Sequence, residues 1–188
     1  MTLSTAPALE TKFAAADLSG VDGEGVFSGY ASLFGTADLS GDLVLPGAFR
    51  GSIAKRGAAG IRMLYQHDPA EPIGVWMEIR EDPRGLFVRG RLMADVARGR
   101  EVASLMRAGA LDGLSIGFKT VKARADRTAG VRRLVEIDLW EISVVTFPMQ
   151  PDARVSSVKA TGLAARMRRA ARTLYPARLS PNLTRTTR

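Results

Sequence analysis

The chain has 188 residues, 46% of them hydrophobic, with no cysteine, one histidine and a formal net charge of +8. That is room for one ordinary domain with tails; it excludes disulfide and thiolate chemistry and leaves a zinc site without its usual ligands. The charge is segregated: residues 153–188 hold nine basic residues and no acidic one, against 18 basic and 19 acidic in residues 1–152, so the body is neutral and the tail is the cation.

Residues 1–20 are small and polar without a clear period and read as a flexible N-terminal arm. Residues 25–35 read as a strand, and the Gly-, Asp- and Ser-rich residues 37–46 as a loop. Residues 46–55 are predicted as a short helix that Gly57 or Gly60 ends. A strand over residues 61–66 carries the single histidine, His67, at its C-terminal edge. Residues 73–79 and 86–92 form a hairpin around Glu81-Asp82-Pro83-Arg84-Gly85. Asp95 is placed to cap a helix ending near Ala108, with Val102, Leu105 and Met106 on its apolar face and Gly109 as its stop. Residues 111–122 and 131–147 are two further strands, joined across residues 125–130 and closed off by Pro148 and Pro151. At least six strands and two short helices predict a mainly β (α+β) domain, chiefly antiparallel. No apolar run approaches the roughly 20 residues that span a bilayer, and the first 16 residues lack the basic-then-apolar layout of a secretory signal. The expectation is a non-secreted, intracellular protein without a membrane partner.

The last strand holds the residue that asks for an explanation. On simple alternation Glu141 shares a face with Ile137, Leu139, Val145 and Phe147, and a carboxylate on an apolar face must be paired or hydrogen-bonded. A hairpin turn centred on Thr128 sets Ser115 opposite Glu141 and Gly117 opposite Leu139, with Cβ atoms of opposed residues about 5 Å apart. A shift of two keeps Ser115 and Glu141 on one face, and a shift of one separates them. Ser115 lies in Gly113-Leu114-Ser115-Ile116-Gly117, whose glycines leave room for a substrate backbone. A hydroxyl nucleophile needs a base near neutrality, and imidazole is the usual one; here His67 is the one candidate. The G-x-S-x-G pattern itself points to α/β-hydrolases, but those need the order Ser, acid, His and a helix after the serine. In this chain the histidine comes first and strand follows the serine.

Several stretches taken together resemble the prohead (capsid maturation) serine proteases of tailed bacteriophages, whose fold is related to the herpesvirus assemblins. They are Gly29-Tyr30-Ala31, DLVLPGAF at residues 42–49, residues 64–69 with Ile73-Gly74, Gly99-Arg100-Glu101, LDGLSIGF at 111–118 and LWEISVVTFP at 139–148. The resemblance implies a serine endopeptidase with Ser115 as nucleophile and His67 as base. The third member is a histidine in the herpesvirus branch; this chain has no second histidine, and Glu141 stands where the phage branch uses an acid. It further implies a small closed β-barrel ringed by helices over residues 21–155, no cofactor and no metal. Its protein substrates would be the major capsid protein and scaffold segments, met by an oligomer or many copies inside an assembling procapsid in the bacterial cytoplasm. The oxyanion hole is left unassigned.

Plainer readings stand beside these. A histidine at a strand end is commonly a surface or hydrogen-bonded residue, a serine among glycines is commonly tight packing, and a buried glutamate is commonly salt-bridged to an arginine. Ser143 reads as a small strand residue, and Asp68 as loop chemistry with Pro69. In the tail, residues 156–188, Leu163, Met167, Ala170 and Leu174 make an apolar stripe beside Arg166, Arg168, Arg169 and Arg172. It docks on capsid or scaffold, touches nucleic acid, or is a solvated tail with transient helix. The alternative to an enzyme is a β-barrel assembly module whose tail binds nucleic acid or capsid.

Overall fold

A computed structural model describes residues 10–15, 21–38 and 40–147. Among these residues eight strands and two helices occur in chain order: β1 (Glu10–Ala15), β2 (Val26–Leu33), β3 (Asp42–Val44), α1 (Arg50–Arg56), β4 (Arg62–Tyr65), β5 (Asp68–Glu81), β6 (Gly85–Leu92), α2 (Ala97–Arg107), β7 (Gly113–Asp126) and β8 (Val131–Val145), with a 3-10 turn at Ala58–Gly60. They form one sheet in the order β1-β7-β8-β4-β5-β6-β2, with β3 also paired to β8.

Four expectations change. The arm expected over residues 1–20 contains β1, laid antiparallel along β7, and the loop expected over residues 37–46 contains β3. Both are short, and neither carries the alternation that marks a strand in sequence. The sheet is mixed, because β3 and β4 both run parallel to β8. The barrel is not closed: the sheet curls, but its path ends at β1 and β2 and no ladder joins those two among the described residues. It is an open half-barrel. The tail over residues 156–188 lies outside the described residues.

β8 is the spine. One edge pairs with β7 along nearly its whole length; the other takes β3 at residues 132–134 and β4 at residues 141–144. The concave face holds the core, where Phe27, Phe49, Met63, Ile73, Leu86, Leu114, Ile116, Phe118, Leu134, Ile137, Leu139 and Ile142 are fully buried. Each such side chain contributes about 1.5–3 kcal/mol by leaving water, and together they hold β4, β7 and β8 in place.

The helices are short and rely on partners. Glu81 reaches from β5 to accept the N–H groups of Gly47 and Phe49 ahead of α1, which satisfies donors that the helix itself leaves open. Gly57 ends α1 at φ 61°. In α2 the buried residues are Gly99, Val102, Ala103 and Met106; Leu105, expected inside, is 40% exposed. Asp95 does not cap α2: Val96 occupies the N-cap position and makes no side-chain cap. Gly109 stands just past the helix at φ 74°, as its residue type predicts. In the β5–β6 loop, burial pushes the Asp82 carboxyl up, but hydrogen bonds from the Tyr30 hydroxyl, the N–H groups of Arg84 and Gly85 and the Arg80 guanidinium outweigh it and hold it below the usual carboxylate range.

Candidate active site

Three strands side by side, β7, β8 and β4, bring the candidate residues into one neighbourhood. The β7–β8 turn sets Asp126 opposite Val131. Carried on unchanged, that register would place Ser115 opposite Ile142 and put Glu141 on the other face of the sheet. Irregularities near Val121 and Val135 cancel. A bulge then leaves Trp140 unpaired, so that Phe118 faces Leu139 while Gly117 faces Glu141. From there Ser115 lies opposite Ser143 and Gly113 opposite Val145. The expected pairing of Ser115 with Glu141 is therefore off by two residues, and the two are diagonal neighbours on one face.

The bulge also corrects the face assigned to Glu141. Cross-strand partners share a face, and neighbours along a strand do not. Leu139 goes with Phe118 into the core, and Glu141 goes with Gly117 to the opposite face. Burial agrees: Ile137, Leu139, Ile142 and Val144 belong to the core cluster, and Val145, though buried, does not. The shared parity of Ile137, Leu139 and Glu141 in the sequence is broken at Trp140.

Parallel pairing of β4 with β8 sets Arg62 beside Glu141, Leu64 beside Ser143 and Tyr65 beside Val144. β4 then turns into β5 through two residues only, Gln66 and His67, at φ 53° and 62°. Positive φ at both central residues is what a tight hairpin turn of this hand requires, and it is uncommon for residues other than glycine. Contacts to β8 and to Thr146 just past it hold the turn: the Gln66 N–H donates to Val144 O at 3.1 Å, the Gln66 side-chain amide to Thr146 Oγ1 at 2.6 Å, and the His67 N–H to Ser143 Oγ at 3.1 Å.

The imidazole thus returns over β8. His67 Nδ1 lies 2.6 Å from Glu141 Oε1, and the Ser143 hydroxyl donates to Glu141 Oε2 at 2.7 Å. Glu141 is 4% exposed, and Ser115 and Ser143 are fully buried. The carboxylate that the sequence left unexplained is paired through both oxygens, to a histidine and a serine rather than to an arginine. An ionised carboxylate only accepts, so a neutral ring paired with it carries its proton on Nδ1 and leaves the ring lone pair on Nε2, itself buried. Ser115 stands one strand spacing from Ser143, about 5 Å between opposed Cβ atoms.

A family model described as caudovirus prohead serine protease matches residues 10–168. The chain belongs to this family. Among its relatives, the prohead protease of Enterobacteria phage HK97 is 36% identical over 138 residues, an alignment covering 72% of this chain and 61% of the relative. The prohead protease of Escherichia phage T5 is 25% identical over 159 residues, covering 84% and 74%. The chain thus spans about three fifths of the length of the HK97 prohead protease. The solved structure of the bacteriophage T4 capsid assembly protease superposes with a TM-score of 0.58 at 16% identity, over 75% of this chain and 97% of that one; it shares the fold. The prohead protease family match begins at the first residue of β1.

Two residues of the neighbourhood escape a reading of the sequence. Ser143, taken as a small strand residue, bridges the acid and the histidine turn. Its signal was its position two residues after Glu141. Gly117, taken as room for substrate, is where the Glu141 carboxylate lies: a Cβ built there would meet Glu141 Oε1 at 2.0 Å and Cδ at 2.7 Å. Asp68 does what its neighbour Pro69 suggested, accepting the Ala70 N–H at 2.8 Å in the loop.

Proposed function

We propose that this chain is a serine endopeptidase that processes capsid and scaffold protein during prohead maturation, with Ser115 as nucleophile, His67 as base and Glu141 as the acid that orients it. The observation that carries the reading is the part-buried 2.6 Å contact between His67 Nδ1 and Glu141 Oε1, made on the sheet face that Ser115 shares. His67 Nε2 takes the proton of the Ser115 hydroxyl as its oxygen attacks a peptide carbonyl. The protonated ring then gives that proton to the leaving amine, and water releases the acyl-enzyme. Glu141 stays a carboxylate throughout, fixing the tautomer and stabilising the positive ring. Family membership supports the peptidase class, and the names of the HK97 and T5 relatives support the prohead as its place of work.

Because Ser115 is fully buried, what covers it must open before a peptide carbonyl reaches Oγ. The test is therefore run on the full chain assembling with its capsid protein. A biotinylated fluorophosphonate is added and the adduct is mapped by tandem mass spectrometry. The expected adduct is on Ser115, and it disappears in His67→Ala. An adduct on Ser143, or one on Ser115 that survives His67→Ala, would overturn the assignment.

A further inference from the structure

The proposed mechanism uses three side chains and leaves a fourth, buried and polar, in the middle of them. Ser143 Oγ donates to Glu141 Oε2 at 2.7 Å and accepts the His67 N–H at 3.1 Å. We infer that Ser143 is a positioning residue, whose one hydroxyl fixes both the rotamer of the acid and the backbone of the base. The inference rests on the protease reading.

A glutamate has three side-chain torsions, and holding one oxygen at His67 leaves the other to be placed. A neutral hydroxyl on Oε2 places it without competing for Oε1, and a hydrogen bond to a carboxylate is among the stronger ones. Gly117 completes the seat from the β7 side, since its missing Cβ is the space the carboxylate fills. On the other side, Gln66 and His67 stand at φ 53° and 62°, a conformation that persists only where surrounding contacts impose it. The Ser143 oxygen supplies one of those contacts, at the histidine itself. Alanine at 143 removes one hydrogen bond from the acid and one from the turn at once. It is also ill placed to act as a nucleophile, because its proton is already directed at Glu141 and its oxygen at a backbone N–H.

The chain offers an unusually direct readout. It contains one histidine, so a 15N-labelled sample gives one set of imidazole signals, and which ring nitrogen carries the proton is set by the hydrogen bond the ring makes. The full chain is prepared as Ser115→Ala, to prevent self-cleavage, and as Ser115→Ala with Ser143→Ala. The first is expected to show an Nδ1-protonated ring with a far-downfield proton. The second is expected to lose that signal to exchange with water while its methyl spectrum stays folded. In the active chain, Ser143→Ala is expected to slow capsid-protein processing about ten- to hundredfold, as for a lost hydrogen bond to a charged group. An unchanged Nδ1–H signal in the double variant would overturn the inference. Should Ser143→Ala fail to fold, Ser143→Cys, which keeps a weaker donor, is read the same way: a weakened signal supports the role and an unchanged one overturns it. If the signal depends on Ser143 but the wild-type chain processes no capsid protein, the bridge stands as structure and its part in catalysis falls with the protease reading.

Discussion

Gly117 and Glu141 are opposed across β7 and β8 at a separation that no side chain tolerates, with Glu141 Oε1 2.0 Å from where a Cβ would stand. A methyl group there cannot be absorbed by a distant neighbour; the carboxylate itself must move, and with it the group that holds His67 Nδ1. Gly117→Ala is therefore expected to leave a folded protein whose processing rate falls about a hundredfold, the scale of loss for a reacting group misplaced by about 1 Å. Rates of capsid-protein processing, set beside thermal melting of the same samples, check this. At this scale the sequence was informative in kind and less so in assignment. A lone histidine, a serine between glycines and an acid among apolar residues were visible as chemistry. That one glycine serves the acid rather than a substrate, and that a second serine joins acid to base, depends on which atoms meet across strands. Residue type does not carry that.

Between elements, the decisive feature is the unpaired Trp140 in β8. Its indole is held outside the ladder between Arg56, at 4.3 Å, and Lys119, at 4.8 Å, and its N–H donates to Asp138. Alternation along residues 131–147 predicts a regular strand, and a regular strand would give Glu141 the face of Leu139. A bulge inserts one residue without altering the apolar pattern on either side, which is why hydrophobic periodicity does not reveal it. The same limit hid the parallel pairing of β4 with β8, which brings His67 back to Glu141 and which no turn chemistry announces. Removing the unpaired residue and removing a paired one then have different consequences. Deletion of Trp140 is expected to leave Ser115 opposite Ser143, giving a folded chain that melts somewhat lower and still processes capsid protein. Deletion of Ile142 moves Ser143 and Val145 onto the core face and is expected to abolish processing. Melting curves and processing assays on the two deletions, side by side, check the register.

At the scale of the molecule, six of the eight strands and both helices among the described residues were legible, because each carries alternation, a turn or a terminating glycine. β1 and β3 were not, being six and three residues long and set by pairing with β7 and β8 rather than by their own pattern. Openness of the barrel was also out of reach of the sequence, since closure depends on whether two end strands meet. The assembled sheet divides its labour between two faces. The concave side carries the apolar core, and the other side of β4, β7 and β8 carries Ser115, Glu141 and Ser143 with the His67 turn. The role proposed for this second face is to cleave protein through Ser115. Mass spectrometry of the cognate major capsid protein, co-expressed with the wild-type chain or with Ser115→Ala, tests it most directly. Shortened capsid protein is expected with the wild type and full-length capsid protein with Ser115→Ala, a loss of several orders of magnitude in rate; equal shortening with both would rule out Ser115 as the nucleophile.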